Sequence, residues 1–144
     1  MPMRLLAIDY GEKRIGLAIT DELQMFANPY DTIPNLSFEN TVSVLNKLIA
    51  EKKIGQIIIG IPWSVNGNET EKTKETQEFI TQLQSQINIP IIGSDERFTT
   101  SDANDLLKEM GYNWKKARKV IDSIAACLIL KRYLERNAGH NQKA

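Results

Sequence analysis

The chain has 144 residues, 42% of them hydrophobic and 25% charged, which excludes collagen-like, low-complexity and disordered classes and suits one domain with a self-sufficient core. Eighteen basic residues balance eighteen acidic ones, so attraction to a polyanion has to come from local clustering and not from the overall field. One cysteine, Cys127, excludes an intramolecular disulfide, and no stretch nears the ~20 apolar residues that span a bilayer, so a soluble, cytoplasmic protein without membrane attachment is expected.

In chain order, Met1-Pro2-Met3-Arg4 leads into an apolar run already interrupted by Asp9, too short for the core of a signal peptide. Leu5 to Ile8 and Ile15 to Ile19 read as strands joined by Tyr10-Gly11-Glu12-Lys13, a glycine-bearing hairpin connection. A third, weaker strand is expected between Met25 and Ile33; its Asn28-Pro29 suits an edge or bulge better than a central position. Ser37 is placed to cap a helix over Phe38 to Lys52 in which Phe38, Val42, Leu45, Leu48 and Ile49 form one apolar stripe.

Ile57-Ile58-Ile59-Gly60-Ile61 has the unbroken apolar pattern of a parallel strand buried on both faces. Between Asn68 and Asn88 a helix is expected to pack mainly through Phe79, Ile80, Leu83 and Ile87 in its second half. Ile89 to Gly93 reads as a fifth strand that delivers Ser94-Asp95-Glu96-Arg97 to its C-terminal end. Thr99 and Asp102 suggest a capping box for a helix stopped by Gly111. A last helix is expected from somewhere between Lys115 and Val120 to about Arg136. The result is an α/β fold, a five-stranded mixed sheet flanked by helices, as one domain over residues 1–136 with a polar tail at 137–144.

Three carboxylates stand where stability alone would not put them: Asp9 and Glu96 at strand ends, and Asp122 inside Val120 to Ala126. Ligands of open α/β sheets bind outside the carboxyl ends of strands, and clustered carboxylates repel one another unless a cation joins them. Mg²⁺ or Mn²⁺ prefers such oxygen donors, and two such ions suffice to activate water and stabilise the leaving oxygen of a phosphodiester. The acidic site is therefore expected to be both metal-binding and catalytic. Each acid also has a plain alternative: a turn-initiating role for Asp9 before Gly11, an ion pair with Arg97 or Arg14 for Glu96, and a helix cap for Asp122.

Lys13, Arg14, Arg97, Lys115, Lys116 and Lys119 flank these acids in sequence, a basic rim suited to a nucleic-acid backbone. Trp114 and Tyr112 offer stacking surface for unpaired bases or ordinary packing. The turn-rich loop Pro62-Trp63-Ser64-Val65-Asn66-Gly67 lies at the same sheet edge and is either a substrate contact or a tight connection.

At these residues the sequence resembles the YqgF/RuvX family of Holliday-junction-resolvase-like proteins assigned to pre-16S ribosomal RNA processing. The resemblance rests on Ile8 through Ala18, Ile59-Gly60-Ile61-Pro62 through Gly67, Asp95 through Thr100, and Lys119 through Ala126, in that order. It implies a ribonuclease-H-like fold and a nuclease that trims the 5′ end of the small-subunit rRNA precursor, with structured RNA, and a pre-ribosomal particle, as partners. By motif position it makes Asp9, Glu96 and Asp122 the metal-binding catalytic acids and sets Lys13, Arg14 and Arg97 against phosphate. Asn66 departs from the aspartate common before the loop glycine. Alternative readings are a branched-DNA (Holliday-junction) resolvase and a noncatalytic nucleic-acid-binding assembly factor; a sugar-kinase-like phosphotransferase needs two related domains, more than 144 residues supply.

Overall fold

Alternation of buried residues sets the architecture. In the computed structural model, which describes residues 3–64, 66–96, 105, 107–109, 111 and 121–141, the strands are β1 (Arg4–Tyr10), β2 (Arg14–Thr20), β3 (Ala27–Pro34), β4 (Ile54–Ile61) and β5 (Ile91–Asp95), and the long helices are α1 (Phe38–Lys52), α2 (Glu71–Gln84) and α3 (Ile121–Asn141). The sheet order is β3-β2-β1-β4-β5. The β1–β2 and β2–β3 pairs are antiparallel and the β1–β4 and β4–β5 pairs parallel, the mixed five-stranded sheet expected from the sequence. The carboxyl ends of β1, β4 and β5 consequently share one edge.

Because successive strand residues point to opposite faces, the two sides of the sheet receive different sets. Leu6, Ile8, Ile15, Leu17, Ile57 and Ile59 pack with Leu45 and Leu48 of α1 and Phe79, Ile80 and Leu83 of α2. Leu5, Ala7, Ala18 and Ile58 pack instead with Ile124, Cys127, Leu128 and Ile129 of α3. Each fully buried Leu or Ile contributes about 1.5–3 kcal/mol relative to exposure, so the aliphatic α1/α2 side holds most of the hydrophobic stabilisation.

Local signals fix the ends of the elements. Ser37 caps α1, its side chain accepting from the Asn40 N–H, and Lys53 closes the helix in a left-handed conformation with φ of 54°. Thr70 and Thr73 form a reciprocal capping box on α2, and Thr73 Oγ1 also donates to Pro62 O at 2.6 Å, tying the loop after β4 to the helix. Thr73 and Thr76 are buried, so α2 packs through its first half as well as the expected second half. β3 lies at the sheet edge, and its register with β2 shifts between Leu17 and Ala18, where Pro29 pairs with Ala18, as its Asn28-Pro29 suggested.

Residues 105 and 107–109 are helical, and Gly111, with φ of 78°, donates to Lys108 O at 3.1 Å, the expected glycine stop. The Thr99–Asp102 capping box and the start of the last helix between Lys115 and Val120 lie outside the described residues. α3 runs to Asn141, past the expected end at Arg136. No described helix is long and apolar enough to cross a membrane.

Candidate active site

Asp9 sits one residue before the end of β1 and pairs with Gly16 across the hairpin. It shares the sheet face of Leu5 and Ala7, the face covered by α3. Gly16 explains how the helix comes so close. A β-carbon there would run into the Asp122 carbonyl oxygen and carbon, and would lie 2.9 Å from the Ser123 nitrogen. Only a glycine leaves room for the first turn of α3 to lie on the hairpin and set Asp122 beside it.

The consequence is electrostatic. Burial pushes the Asp9 carboxyl up to about 6 from its ordinary 3.8, opposed by the Lys72 cation and reinforced by the negative charge of Asp122. Asp122 itself is engaged by Arg14, whose Nε lies 2.9 Å from its Oδ2. Arg14 is itself exposed beside that ion pair. Lys13 is exposed at the same hairpin, which Asn35 pins by donating from its backbone N–H to Lys13 O at 2.9 Å and from Nδ2 to Gly11 O at 2.8 Å.

Glu96 follows β5 directly and is 5% exposed. Its backbone N–H donates to Ile61 O at 3.0 Å, and a β-carbon on Gly60 would lie 3.1 Å from its Cγ, which puts its side chain on the α3 face beside the end of β4. Ser94 Oγ donates to Oε1 at 3.0 Å, Arg132 Nη1 to Oε2 at 3.3 Å, and Arg136 Nη2 lies 3.7 Å from Oε1. Burial still raises the Glu96 carboxyl above its ordinary 4.5, against the Ser94 hydroxyl and the two guanidinium groups.

Asp9 and Asp122 are therefore brought within mutual electrostatic reach, whereas Glu96 is held by arginines. Among the described residues no three acidic, histidine or cysteine side chains converge closely enough to hold one ion. Arg97, Lys115, Lys116 and Lys119, together with Tyr112 and Trp114, lie outside the described residues. The loop after β4 folds on itself: Ser64 Oγ accepts from the Asn68 N–H at 2.9 Å, and Gly67, with φ of 82°, donates to Ser64 O at 2.8 Å. That geometry is a tight connection, with Asn66 exposed.

Lys72, Ser94, Arg132 and Arg136 carry no mark in the sequence of their place beside these acids. Arg132 and Arg136 recur four apart, which was visible, but in Lys131-Arg132-Tyr133-Leu134-Glu135-Arg136 they resemble an ordinary solvated helix face. A separate cavity of about 520 Å³, lined in part by Met25, Phe26, Cys127, Lys131 and Leu134, includes none of the three acids.

A mixed sheet of this order, with carboxylates at the ends of β1 and β5 and a third on a helix laid across it, defines a protein of ribonuclease-H-like fold with an acidic site on one face. The fold is shared with the Fowlpox virus Holliday junction resolvase, at 14% identity and a TM-score of 0.57 over 93% of this chain and 99% of that one. It is shared too with T. thermophilus RuvC solved with a Holliday junction substrate, at 12% identity and a TM-score of 0.52 over 95% and 96%. The chain belongs to the RuvX family, described as Holliday junction resolvase, which it matches over residues 3–136. It is 40% identical to a protein of Maridesulfovibrio salexigens over 93% of this chain and 99% of the relative. It is also 40% identical to one of Dictyoglomus turgidum over 92% and 94%. Both relatives carry the name "Putative pre-16S rRNA nuclease".

Proposed function

We propose that the protein is a divalent-metal-dependent nuclease acting on structured nucleic acid, with the 5′ end of pre-16S rRNA, within a pre-ribosomal particle in the cytoplasm, as its substrate. The observation that carries this reading is the placement of Asp122 against Gly16, the cross-strand neighbour of the buried Asp9. A carboxyl that burial pushes up to about 6 in spite of the Lys72 cation, with a second carboxylate adding to the rise, is an unfavourable arrangement in an empty protein and a favourable one around a second, closer cation. The donors are all oxygens, the set that Mg²⁺ and Mn²⁺ prefer.

Asp9 and Asp122 would hold the metal, and Glu96 would join them after exchanging its arginine partners. When bound, the metal supplies Lewis-acid polarisation of the phosphodiester and a water of lowered pKa. The chain's own residues do the positioning. Gly16 lets α3 carry Asp122 to β1, Arg14 orients the Asp122 carboxylate, and the sheet edge fixes the spacing of Asp9 and Glu96. Lys13 and Arg14 would meet phosphate from the hairpin, and Arg97, Lys115, Lys116 and Lys119, which flank the acids in sequence, would add to that positive charge. Family membership and the relatives' name support RNA processing, and the family description as Holliday junction resolvase favours branched DNA as the second reading.

The test is Mn²⁺- and Mg²⁺-dependent cleavage of a structured pre-16S 5′ leader and of a four-way DNA junction, run beside the Asp9→Asn/Glu96→Gln/Asp122→Asn variant. Cleavage of the leader by the parent and none by the folded variant is expected. Equal cleavage by both overturns the metal site, and cleavage of the junction alone selects the second reading.

A further inference from the structure

Arg132 and Arg136 stand one helical turn apart on α3, so they share a face of the helix. Together they close over Glu96. Arg132 Nη1 takes Oε2 at 3.3 Å and Arg136 Nη2 lies 3.7 Å from Oε1. Arg136 is further anchored by donating from Nη1 to Ser94 Oγ at 2.8 Å and from Nη2 to Asp95 O at 3.4 Å. The two sides of the contact are unlike: the Glu96 side chain is 3% exposed, those of Arg132 and Arg136 28% and 54%. A buried carboxylate thus lies beneath two guanidinium groups reachable from solvent, and both of its oxygens are already engaged.

Guanidinium forks bind phosphate as well as they bind carboxylate. Two of them one turn apart at the rim of an acidic site suit the backbone of a nucleic-acid strand. Drawing them outward leaves a buried anion without its partners, which is strongly unfavourable unless a cation takes their place. Phosphate on the arginines and a cation among the acids therefore favour one another, and the coupling is reciprocal.

We propose that Arg132 and Arg136 are a nucleic-acid phosphate site which Glu96 closes in the free protein, and that substrate phosphate releases Glu96 to the acidic centre. The proposal rests on the nuclease reading above for its substrate class. The arginines then serve twice, gripping the strand and gating the third acid.

The first measurement is fluorescence anisotropy of a labelled RNA duplex in EDTA, comparing the parent, Glu96→Gln, the charge-matched control Asp9→Asn, and Glu96→Gln combined with Arg132→Gln and Arg136→Gln. Removing the Glu96 charge from beneath the arginines should make Glu96→Gln bind about tenfold tighter than Asp9→Asn and steepen the log–log salt dependence by about one to two, as one or two added phosphate contacts require. The combined variant should lose that gain. Equal gains for Glu96→Gln and Asp9→Asn overturn the proposal, as does a gain that survives removal of the arginines. These readouts concern binding without metal, so a protein that binds RNA but never cuts it defeats the nuclease reading and leaves this one standing. If Glu96→Gln does not fold, calorimetric Mn²⁺ affinity decides, measured on the parent and on Arg132→Gln/Arg136→Gln with and without a phosphorothioate RNA duplex. The duplex should tighten Mn²⁺ binding to the parent alone; no tightening, or the same tightening in both, overturns the proposal.

Discussion

The two faces of the sheet are built to different rules. Under α1 and α2 the strands present Leu6, Ile8, Ile15, Leu17, Ile57 and Ile59, all within 1% of complete burial, and the helices answer with Leu45, Phe79 and Leu83. Under α3 the strands present Leu5 and Ile58 but also the small residues Ala7, Gly16, Ala18 and Gly60, with Asp9 and Glu96 at the strand ends. Small residues let a helix approach closely, and the approach brings charge onto charge. One face is spent on stability; the other gives some up to hold carboxylates near each other. α3 thus places charged groups against the strand-end acids as well as apolar ones against the core.

That contrast is open to attack from both sides. The largest stability effect should come from Ile59→Ala, which opens a cavity on the aliphatic face and costs about 2–5 kcal/mol. Urea unfolding measures it, while cleavage per folded molecule should not change. A large activity loss in the folded variant would erase the division of labour.

Asp9→Asn should do the reverse, destroying activity and raising stability. The folded protein holds the Asp9 proton more tightly than the unfolded chain, at about 6 against 3.8. Its contribution is therefore most favourable near pH 4 and below, declines as pH rises towards about 6, and stays at its lower level above. At neutral pH in EDTA the variant should be more stable than the parent by about 1–3 kcal/mol, since each pKa unit corresponds to about 1.4 kcal/mol. The difference should vanish near pH 4. Denaturant melts at the two pH values check the sign, and a variant less stable at neutral pH would contradict it.

Gly16→Ala comes next, at about 1–3 kcal/mol of destabilisation from overpacking. Because the added methyl meets the backbone of Asp122 and Ser123, its activity loss should exceed what the unfolded fraction explains. Smallest is the effect on Cys127. Burial pushes its thiol up to about 11, so alkylation of the native protein at mildly alkaline pH should be far slower than after denaturation.

Much of the aliphatic face was legible in the sequence, because period and burial coincide there. The stripe from Phe38 to Ile49 with Ser37 before it marks α1, and the run Ile57 to Ile61 marks β4, which lies inside the sheet between β1 and β5. β5 was legible in place but not in extent. It was expected over Ile89–Gly93 and forms over Ile91–Asp95, because pairing with β4 runs from Ile57 and Ile91 through Ile61 and Asp95 and carries polar Ser94 and Asp95 into the ladder. Pro90 takes part only by accepting at its carbonyl from the Ile57 N–H. Thr73 and Thr76 escaped the apolar pattern of α2 because their hydroxyls are buried with partners, Pro62 O and Lys72 O.

On the site face, Asp9 stood out because a carboxylate ending an apolar strand is conspicuous. The partners of Glu96 did not. Arg132 and Arg136 meet it only through the fold, and charges on a helix carry no mark of what lies across from them.

The central claim is that the α3 face holds a cation between Asp9 and its neighbours, and calorimetric titration of the parent and of Asp9→Asn with Mn²⁺, paired with melting curves at the same concentrations, tests it most directly. The parent should bind Mn²⁺ saturably and gain melting temperature with it, while Asp9→Asn, the more stable of the two in EDTA, should bind far more weakly and gain little. Equal binding by both proteins, or no binding by the parent, would contradict the claim.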